Sequence, residues 1–138
     1  HPVAHSFPTR RSSDLIDPEQ IMLWDPRVVF IDLAGKALVE EDIRKNKAYY
    51  SEIQAFKNNR VYGLHPYNWY TTNYATVLAN AWYVASVLYP GQFSNVNPES
   101  KADEIYRFFL GRPVYEAMES EYGGYGTLTF ETKDHSNH

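Results

Sequence analysis

The sequence of 138 residues contains no cysteine and only two methionines. The absence of cysteine excludes a disulfide framework, a thiolate metal site and a thiol nucleophile, and it leaves the redox compartment undecided. No apolar run approaches the roughly 20 residues that a helix needs to cross a bilayer. The chain therefore has the composition of a globular domain, with 43% hydrophobic and 22% charged residues.

Basic residues are also few. The formal net charge is −4 and the pI is near 5.7, with no basic face evident, so composition argues against nucleic acid as a partner. The sequence has no Gly-rich phosphate loop, no G-x-S-x-G elbow and no paired metal-ligand spacing. We therefore expect a protein that is not an enzyme and that holds no metal through its own side chains.

Aromatic residues are abundant, at 16% of the chain with 12 Tyr and 3 Trp. They are concentrated in the segment 67–74, where they alternate with amides and hydroxyls. Flat rings beside polar groups suit a bulky ligand with apolar rings and polar oxygens, or a protein interface. A third interpretation stays open, in which this loop caps a helix and folds its own aromatic rings onto the sheet edge.

The first fifteen residues fit no structural element. The stretch from His5 to Leu15 has no hydrophobic period, and it matches the translation of a common sequencing adapter in one frame. We expect residues 1–15 to be a disordered artefact, with the true polypeptide starting near Ile16. Any export signal would then lie upstream of the sequence.

The remaining chain predicts an alternation of helices and strands. Asp17, Pro18 and Glu19 are typical of a helix start, and Pro98 with Gly111 brackets another helix. Tyr74, Val77, Leu78, Ala81, Ala85 and Leu88 recur at helical spacing, as an apolar stripe that predicts the longest helix. The predicted helices cover residues 17–24, 37–46, 47–58, 72–89, 98–110 and 113–122, and the predicted strands cover 27–32 and 60–64.

This order implies parallel strands joined by helices, hence an α/β layer structure. Ligands of such sheets lie beyond the carboxyl ends of the strands, which directs attention to the loops 33–36 and 65–71. Two strands do not complete a sheet, so we expect part of the domain to be missing upstream. We assign residues 16–127 to the domain and residues 128–138 to a polar tail, with the segment from Thr127 frayed.

Two polar residues stand at predicted strand ends, where a catalytic group could lie. His65 is the only internal histidine, and a lone histidine there is more often a surface residue or a hydrogen-bonded residue than a ligand. Asp32 is more simply a cap or loop anchor than an acid catalyst. Neither residue supports an enzyme.

The order of these segments resembles the C-terminal lobe of the periplasmic binding proteins of iron-siderophore, haem and cobalamin ABC importers. The resemblance covers about Ile16 to Thr127. In sequence letters it rests on DPEQIMLWDPRVVFID over 17–32, NRVYGL over 59–64, the aromatic loop, the helix end at 88–90, Phe93, ADEIYRFFLG over 102–111 and YGG over 122–124.

The resemblance implies both a fold and a function. The fold would be a partial three-layer, parallel-sheet lobe of a two-lobe protein, with the rigid connecting helix and the N-terminal lobe absent. The task would be to bind an iron chelate or related metal-organic ligand in the periplasm or outside the cell, with a lipid anchor as one option. The ligand would arrive already chelated, so no cofactor is expected, and the partners would be the permease subunits.

The resemblance also implies roles for individual residues. Glu19 matches the glutamate that docks on an arginine pocket of the permease. Trp69, with Tyr67, Asn68 and Tyr70, matches the loop that approaches the ligand. Two alternatives remain, namely a sensor or interaction domain of the same fold and a chelatase-like enzyme.

Overall fold

The computed structural model describes residues 17–69 and 71–132, without the side chains of residues 69, 71 and 72. The helices are α1 (Pro18–Trp24), α2 (Lys36–Lys45), α3 (Lys47–Ser51), α4 (Gln54–Lys57), α5 (Tyr74–Leu88), α6 (Pro98–Leu110) and α7 (Tyr115–Tyr122). A 3-10 helix spans Leu33–Gly35, and the strands are β1 (Val29–Asp32), β2 (Val61–Leu64), β3 (Asn68–Trp69) and β4 (Thr71–Thr72). The adapter-like residues 1–15 and most of the predicted tail lie outside the described residues.

The two predicted strands form a parallel pair, which confirms the α/β class. Val29 pairs with Val61, and Asp32 pairs with Leu64 at the carboxyl ends. One face of the pair carries Ile31 and Val61, which pack in a cluster with residues of α1 to α4. On the other face, the Tyr62 ring contacts Tyr83 of α5 at a centroid distance of 6.4 Å. Helical residues therefore contact both faces of this small sheet.

The starts and ends of several helices follow the sequence signals. The Asp17 carboxylate accepts a hydrogen bond from the Glu19 amide at 3.0 Å, and Pro18 occupies the first turn of α1. Asn97 caps α6 through a 3.0 Å bond from the Ser100 amide, and Gly111 ends that helix with φ of 80°. These boundaries are local and were predicted correctly.

The predicted helix over 47–58 is wrong, because it is interrupted at residues 52–53. The Asp25 carboxylate accepts hydrogen bonds from the backbone amide and the side-chain amide of Gln54, at 2.9 and 2.8 Å. These bonds lower the pKa of Asp25. An acidic group from a distant part of the chain therefore starts a new helix at Gln54, and Ile53 before it is extended.

The apolar stripe that predicts α5 is not the buried face of this helix. The buried residues are Ala75, Thr76, Ala79, Asn80 and Tyr83, whereas Tyr74, Val77, Leu78, Ala81 and Leu88 are exposed and Ala85 is half-buried. Ala75 and Ala79 pack with Ala102 of α6, so small side chains allow the two helices to approach closely. The stripe of larger apolar residues remains on the surface.

The segment from Thr127 does not behave as a frayed tail up to Phe130. Thr127 forms an antiparallel bridge with Tyr62, and the Leu128 amide donates to the Val61 carbonyl at 2.7 Å. Leu128 and Phe130 pack against the cluster around Ile31 and Val61. This segment is therefore docked beside β2 through a single bridge and its apolar side chains.

Among the described helices, none combines the length and apolar character of a bilayer-spanning segment.

Candidate ligand-binding groove

An open groove of about 630 Å³ lies beside the loop that follows the carboxyl end of β2. The loop 65–67 leads into the short hairpin of β3 and β4, and α5 begins directly after it. The groove is lined by Pro66, Tyr67, Asn73, Tyr74, Ala75, Phe109, Leu110, Met118, Glu121 and Tyr122. Its walls therefore come from the loop, the start of α5 and the ends of α6 and α7.

Local hydrogen bonds hold the loop against α5. The Asn73 amide donates to the Tyr67 carbonyl at 2.7 Å, across the base of the hairpin. The Asn73 side chain caps α5 by accepting from the Thr76 amide at 3.2 Å. The loop thus has the helix-capping role that the sequence left open, and it contributes Tyr67 to the groove as well.

The four loop residues that the sequence singled out have different positions. Tyr67 lines the groove with 43% of its surface exposed. Asn68 is exposed on β3 but is not among the lining residues, and the Trp69 backbone pairs with Thr71. The Trp69 side chain and all of Tyr70 lie outside the described residues.

The sequence did not identify most of the other groove residues. Two of them, Tyr74 and Phe109, are aromatic residues with 73% and 52% of their surfaces exposed. Glu121 and Tyr122 stand at the end of α7, just before Gly123. An aromatic residue within two positions of a helix-ending glycine was the available signal for Phe109 and Tyr122.

The charged groups near the groove are negative. The pKa of Tyr122 is raised first by its loss of solvent, then by the charge of Glu121 and a hydrogen bond to it, and last by the charge of Asp32. Asp32 itself caps the 3-10 helix by accepting from the Ala34 amide at 2.9 Å. The prediction that Asp32 is a cap is confirmed, and its charge still reaches the groove.

His65 lies inside the molecule, with 1% of its surface exposed. Its Nε2 bonds to the Gly123 carbonyl at 2.8 Å, and since a carbonyl only accepts, Nε2 carries the proton. The ring stacks on Tyr125 at a centroid distance of 5.0 Å. Burial lowers the pKa of His65, which favours the neutral form of the ring. The hydrogen-bonded interpretation of His65 is confirmed.

Glu19 is exposed in the first turn of α1. Its charge is well placed to interact with the positive end of that helix, and the same exposure would allow a basic partner to reach it. Among the described residues, no group of three or more His, Cys, Asp or Glu side chains could hold a metal ion.

Comparison with protein-family models and with curated protein sequences returned no significant match to this chain.

Proposed function

We propose that the chain is part of the substrate-binding component of an ABC importer, and that it binds an iron chelate of the siderophore type or a related metal-organic ligand. The protein would deliver this ligand to the permease without chemical change. The parallel strand pair would belong to a three-layer lobe of a two-lobe protein that acts in the periplasm or outside the cell.

The aromatic groove beside the carboxyl end of β2 is the observation that carries this proposal. Its volume of about 630 Å³ falls within the range of about 300 to 1,000 Å³ that is usual for small-molecule sites. Ring faces of Tyr67, Tyr74 and Phe109 offer apolar contact to a flat or bulky ligand. Asn73 and the tyrosine hydroxyls supply hydrogen bonds for polar oxygens.

The open form of the groove also supports the proposal. A single lobe of a two-lobe binding protein would provide one wall of the cleft, and the opposite lobe would close it. The open edge agrees with such a division. Exposed Glu19 supplies the charged contact with the permease that the resemblance implies.

A sensor or interaction domain of the same fold is the second candidate. It is favoured by the exposed apolar surface of α5, where a hollow of about 220 Å³ is lined by Leu78, Ala81, Trp82, Ala85 and Phe93. Surfaces of this kind often mark protein contacts. A parent gene that fuses this chain to a signalling module, rather than lying beside permease and ATPase genes, would favour this candidate.

Binding can be measured by tryptophan fluorescence. A ferric chelate or a corrinoid added to the protein should quench the emission, because both ligands absorb light and would bind near Trp69. The Trp69→Phe variant, which keeps Trp24 and Trp82, should lose most of the quenching. If ferric chelates and corrinoids all leave the emission of the folded protein unchanged, the proposal is contradicted.

If Glu19 docks on the permease, its removal should slow transport and leave chelate binding unchanged. Replacement of Glu19 by Ala should slow uptake of the chelate about fivefold, which corresponds to the loss of a charge pair worth about 1 kcal/mol. Chelate affinity should not change. Gln20→Ala in the same exposed turn is the control and should leave uptake intact. Weaker binding in Glu19→Ala would show that the docking role is wrong.

A further inference from the structure

The charge of the groove is unbalanced. Of the ten described residues that line it, Glu121 is the only one with a charged side chain. None of the ten is Lys, Arg or His. A ligand in the groove therefore meets one carboxylate, and no cation, among the described lining residues.

Glu121 also has no counter-ion among the residues that the structure describes. Within the described residues, the Lys–Glu ion pairs involve Glu40, Glu104 and Glu131, and no basic group lies within 4.0 Å of the Glu121 carboxylate. The nearby charges that act on Tyr122 are those of Glu121 and Asp32, and both are negative. The negative charge at this end of α7 is thus available to a ligand.

Aromatic faces add to this preference. Tyr67, Tyr74 and Phe109 line the groove with large exposed fractions. The face of an aromatic ring is electron-rich, so it attracts an ammonium group and gives no favourable contact to an anion. The carboxylate and the rings therefore favour the same class of ligand.

We propose that this groove selects ligands that carry an ammonium group beside an apolar body, and that it discriminates against anionic ligands. The inference rests on the proposed function, because it names the class of chelate that the site would take. That class is cationic chelates of the hydroxamate type, with their neutral forms bound more weakly and polyanionic chelates such as catecholates bound weakest. Glu121 would contact the ammonium group, and the rings would contact the apolar body.

A matched pair of ferric trihydroxamates tests the inference. One member carries a free primary amine and hence a single positive charge, and the other is its N-acetylated, neutral form. The amine form should bind about fivefold more tightly, equivalent to about 1 kcal/mol. A trianionic ferric tricatecholate should bind more weakly than either. Affinities are measured by fluorescence quenching at fixed ionic strength.

Substitutions of groove residues test whether the preference for the amine form arises in the groove. Glu121→Gln should lose most of the preference for the amine form, whereas Glu116→Gln, on the same helix but outside the groove, should keep the fivefold preference. Tyr74→Phe should retain the preference because the ring face remains. Tyr74→Leu should reduce it.

The outcomes separate the two proposals. Equal affinity for the amine and acetyl forms, or tight binding of the tricatecholate, would overturn the charge selectivity and leave the binding of chelates standing. A further arm uses a tetraalkylammonium salt alone. If it binds in a manner that depends on Glu121 while no chelate binds, the proposed function fails and the selectivity stands. Absence of all binding to the folded protein would overturn both.

Discussion

His65 illustrates how strongly a single side chain depends on its surroundings. The sequence presents it as a lone polar residue after a strand, at the edge where sites of α/β proteins are found. The fold instead surrounds it with Tyr115 and Tyr125 and ties its Nε2 to the Gly123 carbonyl. Its backbone amide and carbonyl pair with the side chain of Asn80. His65 therefore joins β2 to α5 and to the end of α7.

The buried state of His65 predicts a pH dependence of stability. Burial lowers the pKa of His65 below its ordinary value of 6.5, so the unfolded chain binds more protons than the folded chain just below that value. The stabilising contribution is fully present above pH 6.5 and is lost as the pH falls towards the folded pKa. The free energy of unfolding should therefore decline as the pH is lowered from about 8 to about 5, a range that brackets the ordinary histidine pKa. Urea denaturation at several pH values in this range measures the decline.

His65→Gln is the matched variant, because its side-chain amide can still donate to the Gly123 carbonyl without titrating. The variant should be less stable than the natural chain at pH 8. Its free energy of unfolding should change less than that of the natural chain between pH 7 and pH 5. A variant with an unaltered pH profile would show that another group is responsible.

At the scale of the element, α5 shows the limit of periodicity as a guide to packing. The helix carries two candidate stripes, one of larger apolar residues and one of small and polar residues. Burial of the second stripe allows the backbone of α5 to approach α6 and lets the Thr76 hydroxyl bond to the Tyr106 hydroxyl at 2.9 Å. A polar pair inside the interface is stable because both hydroxyls are satisfied.

Enlarging one residue on each side of α5 distinguishes the two faces. Ala79 is fully buried, so Ala79→Leu should lower the free energy of unfolding by about 1 to 3 kcal/mol through overpacking. Ala81 is exposed, and Ala81→Leu should change stability by less than about 0.5 kcal/mol. Chemical denaturation measures both. The reverse order of effects would mean that the predicted stripe is the buried one.

At the scale of the whole molecule, two apolar clusters lie on opposite faces of a minimal sheet. One contains Ile31, Ile53, Ala55 and Val61, and the other joins α5, α6 and α7. One link between the clusters is the contact between the Tyr62 and Tyr83 rings. The other is the segment 125–130, where Tyr125 stacks on Tyr83 at a centroid distance of 4.2 Å. The segment 125–130 therefore contributes to both clusters.

Removal of one ring from this segment should destabilise the protein. Phe130 is half-buried and contacts the Phe56 ring at a centroid distance of 6.0 Å. Because part of the side chain is already in solvent, Phe130→Ala should cost about 1 to 2 kcal/mol, below the value for a fully buried ring. Thr129→Ala, at an exposed neighbour, is the control. Equal stability of Phe130→Ala and the natural chain would mean that this segment is not docked.

The aromatic site could be predicted in part. The sequence identified the loop 65–71 because strand ends and aromatic clusters are local signals, and Tyr67 indeed lines the groove. Phe109, Glu121 and Tyr122 were missed as site residues. They come from the ends of α6 and α7, and only packing of the helices brings them beside the loop.

Signals in the amino-acid sequence were enough to predict the α/β class, the parallel pairing of β1 and β2, the cap at Asp17 and the helix between Pro98 and Gly111. These features depend on short-range hydrogen bonds, on backbone propensity and on the handedness of crossovers. Tertiary structure alone decided the break at Gln54, the buried face of α5 and the docking of residues 127–130. Each of these depends on a contact between residues far apart in the chain, whose free energy exceeds the weaker local preference.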